Sequence, residues 1–465
     1  MENGEMANVY RKIGLWMLLA VTALPAGAAT YRFSKAAEII QQLPKSQPGD
    51  TIVMADGDYQ LSWLKLSCAG TAGQPIVLKA EHPLAAHVVG TGCVTLEGAS
   101  YMEFSGLDFN MAATSSIMKF QGAHHIRVTG CRFTMSKDKD GQTSKWILIG
   151  DLWDNTTCTS GHNRFDHNIF EDKQDGGSLL VIDGAHGVPL ISQHDTIDHN
   201  TFRRVGPRAS NEKETIRIGV SDLTAQSAWT VVSDNVFEDC DGDPEIVSVK
   251  SCDNIIRNNV FRRCLGTLCL RQGSRNTAEN NSFYGEGKTA EFDGRTIGCG
   301  GVRVYGKDHI IRGNYMEGLT GDTWDAGLTI TNGDATSTST NYSAHFAPDN
   351  VLITGNKLVD CASGMEIGFT NGGKYSKKPT GCVVSDNVFV RSPITIHTQM
   401  NANQVRLENN TVTNTDPEAE GMAHNPAPRR AEWMVRDGMR VLRVERGETV
   451  VYVTLDGKII TTKTE

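Results

Sequence analysis

The sequence predicts an all-β fold, a single-stranded right-handed parallel β-helix with a short N-terminal capping helix. The first observation is a phrase repeated nine times: a few β-formers, then Asn, any residue, and usually a large apolar residue. The copies centre on Asn168, Asn200, Asn235, Asn259, Asn281, Asn314, Asn356, Asn387 and Asn410. Degenerate copies stand at 106–109 and 130–133. The closest copies lie about two dozen residues apart, a period that marks a solenoid. The second observation is what precedes the Asn: Val231-Val232, Ile255-Ile256, Ile310-Ile311 and Val383-Val384 are β-branched and suit a pleated, half-buried surface. Asn and Gly then supply the turn, since both tolerate left-handed backbone. The third is an absence: no copy carries apolar residues at i, i+3, i+4 and i+7, which disfavours helical repeats. In such a coil the repeated Asn can stack as a ladder inside a turn, and the repeated Phe can stack in the core. These residues hold the coil and do no chemistry.

The elements follow in chain order. Arg11 and Lys12 precede an apolar stretch at 13–24 that is short for a bilayer span, and Ala26-Gly27-Ala28 offers small residues for cleavage. Residues 1–28 are expected to be a signal peptide, leaving a periplasmic or secreted protein without a membrane span. A short amphipathic helix at 36–40 suits the open end of a solenoid, which must be covered. The β-helix domain is expected to cover 29–416, with coils from about 52 onward, interrupted at 137–163, 172–194 and 332–348. Long inserts in a solenoid tend to leave one face and wall a groove. Residues 417–465 are expected to be a linker followed by cap strands, with two strand patterns between Val441 and Thr462 joined at Asp456-Gly457.

Composition narrows the partners. The chain has 465 residues, and stacking of coils lets one elongated domain reach that length. A formal net charge of −9 argues against nucleic acid, so positive charge for an acidic ligand has to be local. The 11 cysteines are scattered with no CxxC pair, and no Cys/His set has the spacing of a zinc site. Export permits disulfides, but spacing assigns none.

Chemistry concentrates at 211–275. The runs are Asn-Glu-Lys-Glu-Thr-Ile-Arg-Ile-Gly at 211–219, Asp-Pro-Glu-Ile-Val-Ser-Val-Lys-Ser at 243–251 and Leu-Arg-Gln-Gly-Ser-Arg-Asn at 270–276. The Asn repeat serves as a ruler. Lys250 lies nine residues before Asn259, and Arg271 ten before Asn281, so both occupy nearly one phase of adjacent coils, about 4.8 Å apart. Arg303, eleven before Asn314, is expected to continue the row. Adjacent cations repel, which lowers a lysine pKa and makes Lys250 a candidate general base. Asp243 and Glu245 share a face of a strand, and Asn211 and Glu214 belong to the preceding coil. Together they form a hard-oxygen set suited to Ca²⁺. Glu245 and Lys250 are five apart, so a straight strand points them to opposite faces, and they share a groove only if the chain turns between them. Spacing alone gives an anion-binding groove, with Lys250 and Arg271 readable as a solvated face. Asp243 and Glu245 are readable as a solvated turn or as partners of the arginines.

At these residues the chain resembles polysaccharide lyase family 6, the alginate lyase and chondroitinase B group. The resemblance rests on the three runs above in order and spacing, with opening coils at 48–53 and 70–76 and later runs at 300–303 and 327–333. It implies that Lys250 removes the C5 proton of a uronate residue and that Arg271 assists, as acid toward the leaving oxygen or by stabilising charge. It implies Ca²⁺ held by Asn211, Asp243 and Glu245 with Glu214, neutralising the substrate carboxylate. Arg217, Gln272 and Arg303 are then the substrate-binding residues. Gln272 stands where many members carry His and cannot act as acid or base; Asp243 stands where several carry Glu.

The expected function is an exported lyase cleaving an anionic uronate polysaccharide by β-elimination, alginate being favoured over chondroitin or dermatan sulfate. Other β-helix chemistries are the second reading, but a hydrolase needs paired carboxylates without a Lys/Arg dyad. A non-catalytic β-helical polysaccharide-binding surface protein is the third. A monomer or homodimer is expected.

Overall fold

The structure, a computed structural model, describes residues 27–414 apart from 138 and 139, and beyond them the backbone of four strands between 428 and 463. Most of the expected signal peptide (1–26) and, of the expected linker, residues 417–427 lie outside the described residues.

Three long parallel sheets run the length of the β-helix, and each coil contributes one strand to each of them. The first sheet runs from Thr30–Phe33 to Val405–Glu408, the second from Gly57–Gln60 to Thr411–Thr413, and the third from Leu64–Leu66 to Ile394–Ile396. The wall therefore starts earlier than 52, because Thr30–Phe33 already pairs in parallel with Thr51–Met54. Between these two strands, helix Ala36–Gln42 covers the end of the coil stack and buries Ile39. Among the described residues no helix is long and apolar enough to cross a membrane.

The repeat performs the structural work its phase suggests. All nine Asn stand in one continuous ladder. Asn235, for example, donates its backbone N–H and its Nδ2 to Asn259 Oδ1, both at 3.0 Å, and Asn259 does the same to Asn281. The left-handed residue of the turn is not the expected one, the repeated Asn, but the one before it, as at His167, His199, Asp234 and Asn258, because the Asn amide is committed to the ladder. Inside, Phe109, Phe133, Phe170, Phe202, Phe237, Phe261 and Phe283 stack with centroids 4.6–5.0 Å apart. A second ladder, which the repeat phrase did not reveal, follows the third sheet: Asn254 donates to Asn276 Oδ1, and the Asn276 amide donates to His309 Nδ1 at 3.1 Å. It fixes the corner immediately after the charged segment.

The C-terminal segment contains the expected strand pair on either side of Asp456-Gly457, and two further strands precede it. It holds four antiparallel strands, Pro428–Arg436, Met439–Arg446, Thr449–Thr454 and Ile459–Lys463. The stretch 441–462 spans parts of three of them, because the alternating runs on either side of 447–448 pair with each other as a hairpin.

Candidate active site

In the third sheet, strands Ile216–Ile218, Glu245–Val249, Gly266–Leu270 and Arg295–Val304 lie side by side in parallel. Ile218, Val249, Leu270 and Val304 are register partners and point into the core. The next residues therefore form one outward row: Gly219, Lys250, Arg271, Tyr305. The amides of Lys250, Arg271 and Tyr305 bond the carbonyls of Ile218, Val249 and Leu270 at 2.8–2.9 Å. Lys250 and Arg271 are thus neighbours on adjacent coils, as the Asn ruler requires. Arg303 is not in this row. It pairs with Cys269, two positions before Arg271, because the register runs without a break from Leu268 and Val302 to Leu270 and Val304, and the residue nine before Asn314, at the phase of Lys250, is Tyr305.

The opposite-face problem of Glu245 and Lys250 is resolved by a bulge. The register shifts between Glu245 and Val247, so Ile246 and Val247 both bury in the core and the outward set becomes Glu245, Ser248 and Lys250. A bulge re-aims side chains in this way by adding one residue to one strand.

The basic row is not bare. Lys250 Nζ lies 3.2 Å from Glu214 Oε1, and Arg271 Nε lies 3.5 Å from Glu245 Oε1. Carboxylates from neighbouring coils thus offset the expected repulsion between the two cations. Glu214 takes a second bond from Ser178 Oγ at 2.6 Å, and Glu245 one from Ser248 Oγ at 2.5 Å. Burial opposes the charge on Glu245, but Lys250, Arg271 and Arg303 together hold its carboxyl below the ordinary value. Asp243 is in the reverse situation. Burial first, then the charges of Glu214 and Glu245, push it up to about 7, although it accepts the amides of Glu245 and Lys213 at 2.9 and 3.1 Å. Lys250 and Arg271 remain reachable from solvent, with 17% and 12% of their side chains exposed. A reachable amine beside a guanidinium, both backed by buried carboxylates, can bind an anion and move a proton.

A family model described as Chondroitinase B matches residues 33–425. The chain belongs to the chondroitinase B family, that is, polysaccharide lyase family 6. The solved structure of the PL6 family alginate lyase AlyGC superposes with a TM-score of 0.71 at 28% identity, covering 90% of this chain and 55% of that one, so this chain spans little more than half of AlyGC. A mannuronic acid specific family 6 lyase from human gut microbiota gives a TM-score of 0.70 at 25% identity, over 85% of this chain and 88% of that one. The family 6 lyase Pedsa3628 from Pseudopedobacter saltans, at 18% identity and a TM-score of 0.68, shares the fold. No curated protein matches the sequence.

This chondroitinase B family member treats the remaining expected site residues differently. Asn211 lies exposed in the loop before Glu214. Arg217 points outward between Val181 and Ser248, is largely buried, and its Nε has no hydrogen-bond partner. Arg303 is not available to a ligand in the expected way: it is buried, donates to Trp324 O at 2.9 Å and pairs closely with Asp325. Gln272 is also buried and turned from the row. It accepts from Thr224 Oγ1 at 3.0 Å and donates to the carbonyl of Tyr342, tying two loops together. In this arrangement both residues position their neighbours, because loops distant in sequence supply partners that consume their polar atoms.

Three contributors were not singled out as residues in the sequence, although two of them lie in the interruptions expected to wall a groove. The 332–348 insert folds back so that Arg271 donates from its two terminal nitrogens to Ala344 O at 3.0 Å and Ser343 O at 3.3 Å, with the guanidinium 5.7 Å from the Tyr305 ring. Lys145, from a coil further toward the N-terminus, sits near Arg217; burial first, then Arg217, hold its pKa below the ordinary lysine value. Arg208 reaches the carbonyls of Asp243 and Leu265 at 3.0 and 2.5 Å, while its Nε and one terminal nitrogen are buried without partners. None sits in a repeated motif; the interruptions at 137–163 and 332–348 marked the segments of two of them, but not which side chains would reach the row.

Proposed function

We propose that this family 6 lyase cleaves alginate by β-elimination, with Lys250 as the base and Arg271 as the group that stabilises charge and assists the leaving oxygen. The observation that carries this reading is the Lys250–Arg271 pair in one outward row with a carboxylate behind each. A base must be a neutral amine, so Lys250 first has to release a proton. Glu214, 3.2 Å away, is the hydrogen-bonded group to which it can pass. The amine then takes the C5 proton of a uronate residue, electron density moves toward the carboxylate and returns to form the C4=C5 double bond as the C4–O bond breaks, and the leaving oxygen, its charge offset by Arg271, takes a proton from solvent water. Removal of that proton needs positive charge facing the carboxylate. Arg217, with its free Nε, and Lys145 supply such charge toward the N-terminal coils. Alginate is favoured because the similar structures of 25% identity or more are named as an alginate lyase and a mannuronic acid specific lyase. Dermatan or chondroitin sulfate is the second reading, carried by the family description.

Calcium belongs to the proposal. Glu214, Asp243 and Glu245 are hard-oxygen donors close enough to raise the Asp243 carboxyl, an excess of buried negative charge that suits a cation. Their oxygens are not converged: among the described residues only the exposed Asp56, Glu81 and His82 bring three acid or histidine donor atoms within 4.8 Å. Glu214, Asp243 and Glu245, with Asn211 at the rim, are the residues that would hold Ca²⁺, and a bound ion would neutralise the substrate carboxylate. Export through residues 1–28 is also proposed, since the polymer is extracellular.

The test is ultraviolet absorbance of the unsaturated product on alginate, with chondroitin and dermatan sulfate in parallel, for the parent and Lys250→Met, with and without EDTA. Turnover on alginate that falls roughly a thousandfold in the variant is expected. Turnover on a sulfated polymer alone would move the substrate, and none on any polymer would leave a binding protein.

A further inference from the structure

We infer that Trp153 forms a sugar-stacking platform at the end of the cleft, a remote subsite for a pyranose ring of the bound polyuronate; this rests on the lyase reading above. Trp153 is 62% exposed, unusual for so large an apolar side chain. It is nevertheless held in place. Its ring lies 3.6 Å from that of His186, at an interplanar angle of 8°, so one face is covered and the other is open. His186 is fixed in turn, with Nε2 2.9 Å from Asp183 Oδ1 and Nδ1 3.9 Å from Asp222.

The backbone adds to this rigidity. The amides of His186 and Gly187 both donate to Trp153 O, at 2.7 and 3.1 Å. Gly187 approaches the loop so closely that a Cβ would stand 2.3 Å from Asp154 O. Asp151 closes the base of the same loop, accepting from the Leu152 amide at 2.8 Å, Asn155 Nδ2 at 2.7 Å and the Thr159 amide at 3.1 Å. A tryptophan held through its backbone and by a ring on one face, with the other face open to solvent, loses little entropy when a ligand covers it.

Its location names the ligand. Ile182 is the register partner of Ile218, and Ile218 of Val249, so Asp183 stands in the same outward row as Lys250. Ile149 pairs with Ile182 in turn, so Gly150, at the base of the Trp153 loop, stands in that row three coils from Lys250, roughly 15 Å. That is about three sugar rings, so an oligomer longer than a trisaccharide is needed to reach Trp153 from Lys250. Arg217, two positions before Gly219 on the same face, and Lys145 near it offer charge to the carboxylates between. A pyranose presents a C–H face that packs on an aromatic ring, while its carboxylate and hydroxyls turn aside to polar groups.

The experiment measures steady-state kinetics of the full chain on alginate trisaccharide, hexasaccharide and polymer. Trp153→Ala should raise KM for hexasaccharide and polymer roughly tenfold and leave the trisaccharide and kcat nearly unchanged. Trp153→Phe, which keeps a ring, should recover most of the loss, and Leu152→Ala should match the parent. Equal KM for variant and parent on the hexasaccharide, or an equal rise on the trisaccharide, overturns the platform while leaving the lyase reading intact. A parent that turns over no uronate oligomer overturns both.

Discussion

Asp243→Asn gives a quantitative test of the acidic cluster. Asp243 is only 3% exposed, and its carboxyl is pushed from 3.8 to about 7 by burial and by Glu214 and Glu245. A carboxyl raised in the folded state favours its protonated form there. Its contribution is therefore intact below the unfolded value near 3.8 and is lost as pH rises through about 7. Each pH unit of displacement is worth about 1.36 kcal/mol, so the loss above neutrality is roughly 4 kcal/mol. Asparagine escapes that loss. It gives something up as well, since its NH₂ must face either the Lys213 or the Glu245 amide that the carboxylate now accepts. An unmade bond of this kind costs about 1–3 kcal/mol. In EDTA the stability difference should swing toward the variant by roughly 3 kcal/mol between about pH 4.5 and about pH 8, changing sign on the way. Urea denaturation of both proteins at the two pH values measures it. A difference that stays constant across this range would refute the reasoning. Calcium added at the higher pH should stabilise the parent and not the variant if the ion is held by this cluster.

Two further outcomes follow from the same geometry. Arg271→Lys keeps the charge but has one nitrogen where the guanidinium serves Ala344 O, Ser343 O and Glu245, so kcat/KM on alginate should fall roughly a hundredfold, and limited proteolysis within 334–345 should quicken. Asn259→Ala removes the acceptor of two Asn235 donors and the donor to Val232 O and Asn281 Oδ1 in a fully buried ladder, so stability by urea denaturation should drop by about 3 kcal/mol or more, and a drop within experimental error would contradict the ladder's role.

The sequence by itself determined the coil. Asn, its left-handed predecessor and the Phe two positions later are local signals, and stacking repeats them in space, so sequence phase became position and put Lys250 beside Arg271. The ruler failed where a strand or a corner carried an irregularity. The shift at Ile246 brought Glu245 onto the face of Lys250, and the corners between the third sheet and the Asn ladder vary in length, so that Tyr305, nine residues before Asn314, takes the row position and not Arg303 at eleven. Only the tertiary structure decided how the charges are compensated. Arg303 meets Asp325, Gln272 meets Thr224 and Tyr342, and Arg271 is held by carbonyls more than 70 residues away. Trp153 finds His186 in the same way, across the coil boundary. The physical reason is that a repeat encodes the pairing of each coil with its neighbour, whereas inserted loops obey no period. The partner a polar side chain finds among them is fixed by packing across coils.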